Sequence, residues 1–115
     1  AFEPDFGGRA VLRGIFLLLR LEVVFVETVE ELQSRLNSKW SAVFLAQHAP
    51  GDPFIELVAQ AAETIKSAPI IALMSVPQDR AAALAAGAAA QVLKPVNSAS
   101  IAEALVAAQR PQDAF

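Results

Sequence analysis

The 115-residue sequence predicts an α/β domain, with a parallel sheet covered by helices on both faces, and three observations carry that prediction. Residues 70–74 (IIALM) are a short apolar run that suits a strand buried on both faces of a parallel sheet, and 90–93 (AQVL) are a second short apolar run, read as another strand. Between them lies an Ala-rich stretch, 78–86, dense in the best helix former and stopped by Gly87. From residue 21 onward, strand-like and helix-like segments alternate, the order that builds a parallel sheet through right-handed crossovers.

Taken in order, residues 4–8 read as a loop or helix start and 9–20 (RAVLRGIFLLLR) as a helix that is apolar around most of its circumference. Arg9, Arg13 and Arg20 recur at spacings of 4 and 7 and make one narrow polar stripe, so burial on more than one side is expected. Residues 21–26 are β-branched and aromatic and predict a strand. Thr28 to Glu31 spells a capping box, in which the Thr28 hydroxyl accepts the Glu31 N–H and the Glu31 side chain turns back to Thr28. The helix it opens runs to about residue 36 with Val29, Leu32 and Leu36 inward; residues 37–39 break it, and 42–45 predict another buried strand just after Trp40. Residues 46–53 (AQHAPGDP) have the Pro, Gly and Asp of a loop, placed where ligand sites of parallel sheets gather. Residues 54–66 form an amphipathic helix with Ile55, Val58, Ala62 and Ile65 inward. Pro77 suits a first helical turn, and Asn97 or Ser98 can cap a last helix over 100–109.

Composition bounds the function. The length fits one domain over residues 1–115, and a first residue other than Met points to a fragment of a longer protein. Hydrophobic residues make up 55% and charged ones 18%, with a mean hydropathy of +0.44, which predicts surplus apolar surface. No apolar run reaches the roughly 18 residues of a membrane span. A net charge of −3 with scattered basic residues argues against direct nucleic-acid binding. Without cysteine there is no thiolate metal site, and one histidine cannot make a zinc site. The start lacks the order of a signal peptide, so cytoplasm is the expected compartment.

The apolar strand, the Ala-rich helix closing on Ala86-Gly87-Ala88, the short strand and Lys94-Pro95 resemble the C-terminal half of the receiver domains of two-component response regulators. The resemblance extends from about Glu3 to Gln109 and implies a doubly wound, flavodoxin-like sheet whose first strand is missing from this chain. In that family the first strand leads into an acidic pair that holds Mg²⁺; aligning Glu3-Pro4-Asp5 with the turn after the pair puts Ala1 and Phe2 where the acids belong. Counting back from Pro50-Gly51 puts Ala46 at the phosphoacceptor aspartate. The switch Ser/Thr falls on Met74, with Ser75 one place late, and the switch aromatic on Gln91. Lys94 keeps the family's lysine, but a strand-end lysine with a solvated ammonium is the favoured reading of it.

What the resemblance implies is therefore a degenerate receiver, or pseudo-receiver: no enzyme, no catalytic residue, no cofactor and no metal, but a regulatory module of signal transduction that binds a protein partner or an adjacent domain. A methyl group at Ala46 cannot accept a phosphoryl group. The rival is a receiver that is phosphorylated at an atypical acceptor such as Asp52, or that senses a small molecule near Ala46, Ser75 and Lys94. Turn chemistry accounts for Asp52, and no partner is fixed by spacing beside His48. Glu3 and Asp5 are the carboxylates near the start that could hold Mg²⁺. A homodimer is expected through surplus apolar helix surface, with Val11, Leu18, Ala102 and Val106 as the interface candidates.

Overall fold

The computed structural model of the protein describes residues 1–3, 5–26, 28–35, 40–47, 53–65 and 68–109. Helices α1 (Phe6–Leu18) and α2 (Val29–Arg35) precede a parallel sheet of β1 (Val43–Ala46), β2 (Ile70–Met74) and β3 (Ala90–Leu93), ordered β1-β2-β3. α3 (Phe54–Thr64) links β1 to β2, a 3₁₀ turn (Pro77–Asp79) and α4 (Arg80–Ala86) link β2 to β3, and α5 (Ser98–Gln109) closes the order. The expected α/β fold with a parallel sheet is present. Strand alternation divides the core into two layers. Val43, Leu45, Ile70, Ala72 and Met74 pack beneath α2, α3 and α4, while Phe44, Ala46, Ile71, Leu73 and Val92 pack beneath α1 and α5.

The strand expected over residues 21–26 is not formed. Only Val26 pairs, in a parallel bridge with Phe2, and Phe2 makes a second parallel bridge to Leu45. β propensity is realised only against a partner, and among the described residues Phe2 pairs with Val26 while none pairs with residues 21–23. Phe2 donates its N–H to Phe44 at 2.8 Å and accepts the Ala46 N–H at 2.9 Å; Ala1 accepts the Val26 N–H at 3.0 Å. Phe2 thus lies between Val26 and Leu45 and bridges both.

Helix boundaries differ where local chemistry overrides the pattern. Asp5 caps α1 by accepting the Gly8 N–H at 2.7 Å, which starts that helix at Phe6 rather than Arg9. It ends before Arg20, whose φ of 57° lies in the left-handed region, so the third arginine leaves the expected stripe. Arg13 instead lies over the Phe25 ring, 4.9 Å from its centroid. α1 buries Leu12, Ile15 and Phe16 and leaves Val11, Leu17 and Leu18 exposed. In α3 the inward stripe is Phe54, Leu57, Val58 and Ala61, with Ile55 and Ala62 at its edge and Ile65 at the C-cap. The Thr28 hydroxyl accepts the Glu31 N–H at 3.1 Å as expected, and Asn97 caps α5 through the Ser100 N–H at 2.8 Å. Leu36, residues 37–39, His48, Pro50, Gly51 and Asp52 lie outside the described residues.

Gly87 stops α4 at φ 123°, a region closed to side-chain-bearing residues, and a Cβ there would sit 2.5 Å from that of Ala62. Both constraints make this turn, between α4 and β3, specific to glycine.

Candidate functional site

The parallel strands all end on one side of the sheet; there Ala46 and Met74, the last residues of β1 and β2, turn into opposite core layers, while Gln47, Ser75 and Lys94, which follow the three strands, meet in one polar pocket. Ala46 and Met74 are buried, and Ser75, next after Met74, is exposed. Gln91 lies within β3, paired in register with Ala72, and therefore below the pocket. Its Oε1 is buried and has no hydrogen-bond partner.

Two side chains fill the pocket: Gln47, which the sequence reading passed over, and Glu3, which it offered as a ligand of Mg²⁺. Gln47 is 2% exposed, and every polar atom of it is engaged. Its N–H donates to Leu73 O at 2.8 Å, and its carbonyl accepts the Ser75 hydroxyl at 2.7 Å and Lys94 Nζ at 3.0 Å. Its side-chain Oε1 accepts the backbone N–H groups of Ser75 and Val76 at 2.9 and 2.8 Å, while Nε2 donates to Asp79 Oδ2 at 2.8 Å. Donors on one side and a carboxylate on the other fix the amide's orientation. Gln47 thus ties the loop after β2 and the start of the 3₁₀ turn to the end of β1.

Glu3 is the second, at 1% exposure. Its Oε2 lies 2.9 Å from Lys94 Nζ, and its Oε1 accepts the Asp5 N–H at 3.0 Å. Its carbonyl accepts Arg9 NH1 at 3.0 Å. Gly8, in the first turn of α1, makes room for the carboxylate: a Cβ there would meet Glu3 Cδ at 2.7 Å. The acid of this end is therefore Glu3, and not a residue at position 1 or 2. Phe2 instead points into the core, because strand alternation turns it away from the pocket.

The expectation of a solvated Lys94 ammonium is overturned. Lys94 is about a quarter exposed, but its ammonium is held between a buried carboxylate and a backbone carbonyl. The Lys94–Pro95 peptide bond is cis. Glu3 lies 91 residues from Lys94 in sequence, so no spacing rule could have paired them. The available signal was the sequence Glu3-Pro4-Asp5 followed by Gly7-Gly8, an acid placed ahead of a helix start with glycine opposite it.

The residues do not fit Mg²⁺. A hard dication takes several oxygen ligands, with at least one free carboxylate among them. Glu3 faces an ammonium at 2.9 Å, whereas Asp5 is turned to cap α1. Among the described residues, no three His, Cys, Asp or Glu side chains cluster as a metal site requires. The described helices include none long and apolar enough to cross a membrane.

The sequence matches no family model, and no curated protein is similar to it. Solved structures are similar in fold. A two-component response regulator from Clostridium difficile superposes with a TM-score of 0.77 at 19% identity, covering 97% of this chain and 94% of that one. The receiver domain of a sensor histidine kinase from Pseudomonas aeruginosa, which has a magnesium ion coordinated in its active-site cleft, gives 0.74 at 20% identity, with 90% and 89% covered. A protein described as an adenylate cyclase from Rhodopirellula baltica gives 0.73 at 20% identity, with 93% and 82% covered. At such identities the likeness is one of fold, and the fold of this chain is that of the CheY-like receiver domains.

Proposed function

We propose that the chain is a receiver-like regulatory domain of signal transduction that cannot be phosphorylated and that works by binding another protein or an adjacent domain, in the cytoplasm. One observation carries this reading: the lysine that would meet a phosphoryl group is already neutralised by the chain's own Glu3, beside a methyl group at Ala46. Gln47 supports it, because its Oε1 takes the Ser75 and Val76 N–H groups that an incoming anion would need. A small ligand in the same pocket would have to displace both side chains. The reading makes Ala46, Met74, Ser75 and Gln91 degenerate counterparts of the acceptor and switch positions, and Lys94 a structural cation.

Incubation with acetyl phosphate followed by a phosphate-affinity gel tests this. No retarded band is expected. A reproducible band abolished by Asp52→Ala would establish the atypical-acceptor alternative.

The same reading includes self-association. α1 and α5 adjoin and leave Val11, Leu17, Leu18 and Val106 exposed, while Ala102 is half-buried between them and the core. Two such surfaces meeting about a two-fold axis would remove apolar area worth roughly 25 cal/mol per Å² before association costs. Sedimentation equilibrium is expected to show dimer below about 100 μM, with Leu18→Glu dissociating it and Ala82→Glu leaving it intact. A monomer throughout would remove this element of the proposal.

A further inference from the structure

The outward side of α1 carries apolar groups that the sheet does not cover and charges of one sign. Phe6, Arg13 and Leu17 recur at spacings of 7 and 4 and share one ridge of the helix, with Phe6 77% and Leu17 78% exposed. Arg13 lies over the Phe25 ring, which turns this ridge toward residues 21–25. At about 100° per residue, Val11 and Leu18 fall on the other flank of the helix. Residues 6–21 include Arg9, Arg13 and Arg20 and no carboxylate, although the chain as a whole carries a net charge of −3. We propose that this ridge docks on an anionic lipid surface, with α1 lying along the plane of the headgroups. The proposal concerns neither the pocket nor the flank of Val11 and Leu18, and it holds whether or not the chain is phosphorylated or self-associates.

Charge and shape select the occupant. A second copy seated on the same ridge about a two-fold axis would bring two sets of arginines together with no acid between them, a like-charge contact. A folded partner has to offer a hollow that fits Phe6 and Leu17. The headgroup region of a bilayer instead takes up protruding apolar side chains wherever they stand and supplies the phosphates that arginines pair with. A nucleic acid offers phosphates but no apolar layer.

The helix has the dimensions for this. Its 13 residues span about 20 Å, too short to cross a hydrocarbon core of about 30 Å and suited to lie along its boundary. The cations are spread along the ridge: Arg9 lies 5.7 Å from the Phe6 ring centroid, Arg13 stands between Phe6 and Leu17, and Arg20 is exposed just past the helix end. Their long stems allow the guanidinium groups to stay among phosphates while the apolar neighbours enter. The acids nearest in sequence lie outside this stretch, where Asp5 is committed to capping α1 and Glu22 is exposed; on the neighbouring α5, Glu103 is exposed as well.

Cosedimentation with vesicles of phosphatidylcholine containing about 30% phosphatidylglycerol, at low salt, tests the proposal. Half of the protein should be bound below about 1 mM accessible lipid, and pure phosphatidylcholine should bind at least tenfold more weakly. Raising the salt from about 50 to 500 mM should weaken binding about tenfold. Leu17→Glu should abolish it, and because Leu17 is exposed the thermal midpoint should not move. Phe6→Ser, at the other end of the ridge, gives a second reading should Leu17→Glu unfold the protein. Arg20→Asn, which suits the left-handed backbone at that position, should weaken binding about fivefold, and Ala82→Glu on α4 should leave it unchanged. No binding by 5 mM lipid, equal binding to uncharged vesicles, or full binding by folded Leu17→Glu or Phe6→Ser would overturn the proposal. So would a Leu17→Glu variant that binds vesicles normally but loses self-association, which would assign the ridge to a second copy. Neither result alters the outcome of the acetyl phosphate test.

Discussion

The two ends of the sheet are built on opposite terms from the same three residues. At the C-terminal end Glu3 plugs a polar pocket: Lys94 is held by Glu3 and the Gln47 carbonyl, and the Gln47 side chain is satisfied by Ser75, Val76 and Asp79. At the other end Ala1 borders an open, mainly apolar groove lined also by Phe16, Leu32 and Trp40. Polar groups taken out of water must be paired or they cost free energy, so the closed end is held by a few specific atoms. Apolar surface has no such specificity, and the open end is defined by the area of its lining. The comparison teaches that one sheet can be closed by a few paired polar atoms at one end and bounded by unspecific apolar surface at the other.

The largest effect should come from opening the closed end. Glu3→Ala leaves Lys94 with Gln47 O alone and should cost about 2–3 kcal/mol, below the 3–5 kcal/mol typical of a fully buried pair because Lys94 is partly solvated. Adding Lys94→Met should recover most of that loss. Urea denaturation of both variants measures the coupling. A Glu3→Ala cost under about 0.5 kcal/mol would mean that the pocket is not held by this pair.

Next in size is the same substitution made at both ends of β1. Ala46 is 1% exposed beneath α1 and α5, and Ala46→Leu should overpack it at a cost of about 2 kcal/mol. Ala42 lines the open groove, and Ala42→Leu should be neutral or slightly stabilising. Equal costs, read from thermal or urea midpoints, would mean that the groove is as well packed as the core.

These contrasts bear on what the sequence could reveal. Residues 70–74 were legible because a run apolar at both parities has few options besides a doubly buried strand; residues 90–93 also form a strand, but one that buries Ala90 and Val92 and leaves Gln91 half-buried and Leu93 exposed. Residues 21–26 misled because their pattern describes a strand's surface and says nothing of whether a partner exists to pair with it. Gln47 was passed over because an uncharged amide draws attention only when its partners are known, and those lie 28 to 32 positions away. Glu3 was read as a turn residue beside Pro4 and Asp5, or with Asp5 as a carboxylate for Mg²⁺, and not as the partner of Lys94. Its burial depends on Gly8 and on the far-off Lys94.

A smaller effect is expected below the pocket, where Gln91 Oε1 is the exception to the pairing seen above it. Gln91→Met keeps the volume and removes a buried acceptor that no group satisfies, so it should stabilise the protein by about 1 kcal/mol. A loss of stability of that size would show that the Gln91 amide has a role which its hydrogen bonding does not reveal.

The smallest expected effect is none at all. Beryllofluoride with Mg²⁺ imitates an acyl phosphate only where an aspartate oxygen completes the beryllium coordination and free carboxylates hold the ion. Here Ala46 offers a methyl group, Glu3 is committed to Lys94, and Asp5 is committed to the first turn of α1. Prying Glu3 loose would leave Lys94 facing the incoming Mg²⁺ across the same few ångströms, a like-charge contact that works against binding. The amide NMR spectrum should therefore be unchanged when both reagents are added at millimolar concentration. Glu3→Gln sharpens the test, since it removes the internal counter-charge and leaves Lys94 open to anions while still offering no acceptor. That variant should respond to free phosphate or fluoride near Lys94, and the response should not depend on Mg²⁺. Saturable, Mg²⁺-dependent shifts at Ala46 and Lys94 in the unsubstituted protein would show instead that the closed end opens, and the contrast between the two ends would fail.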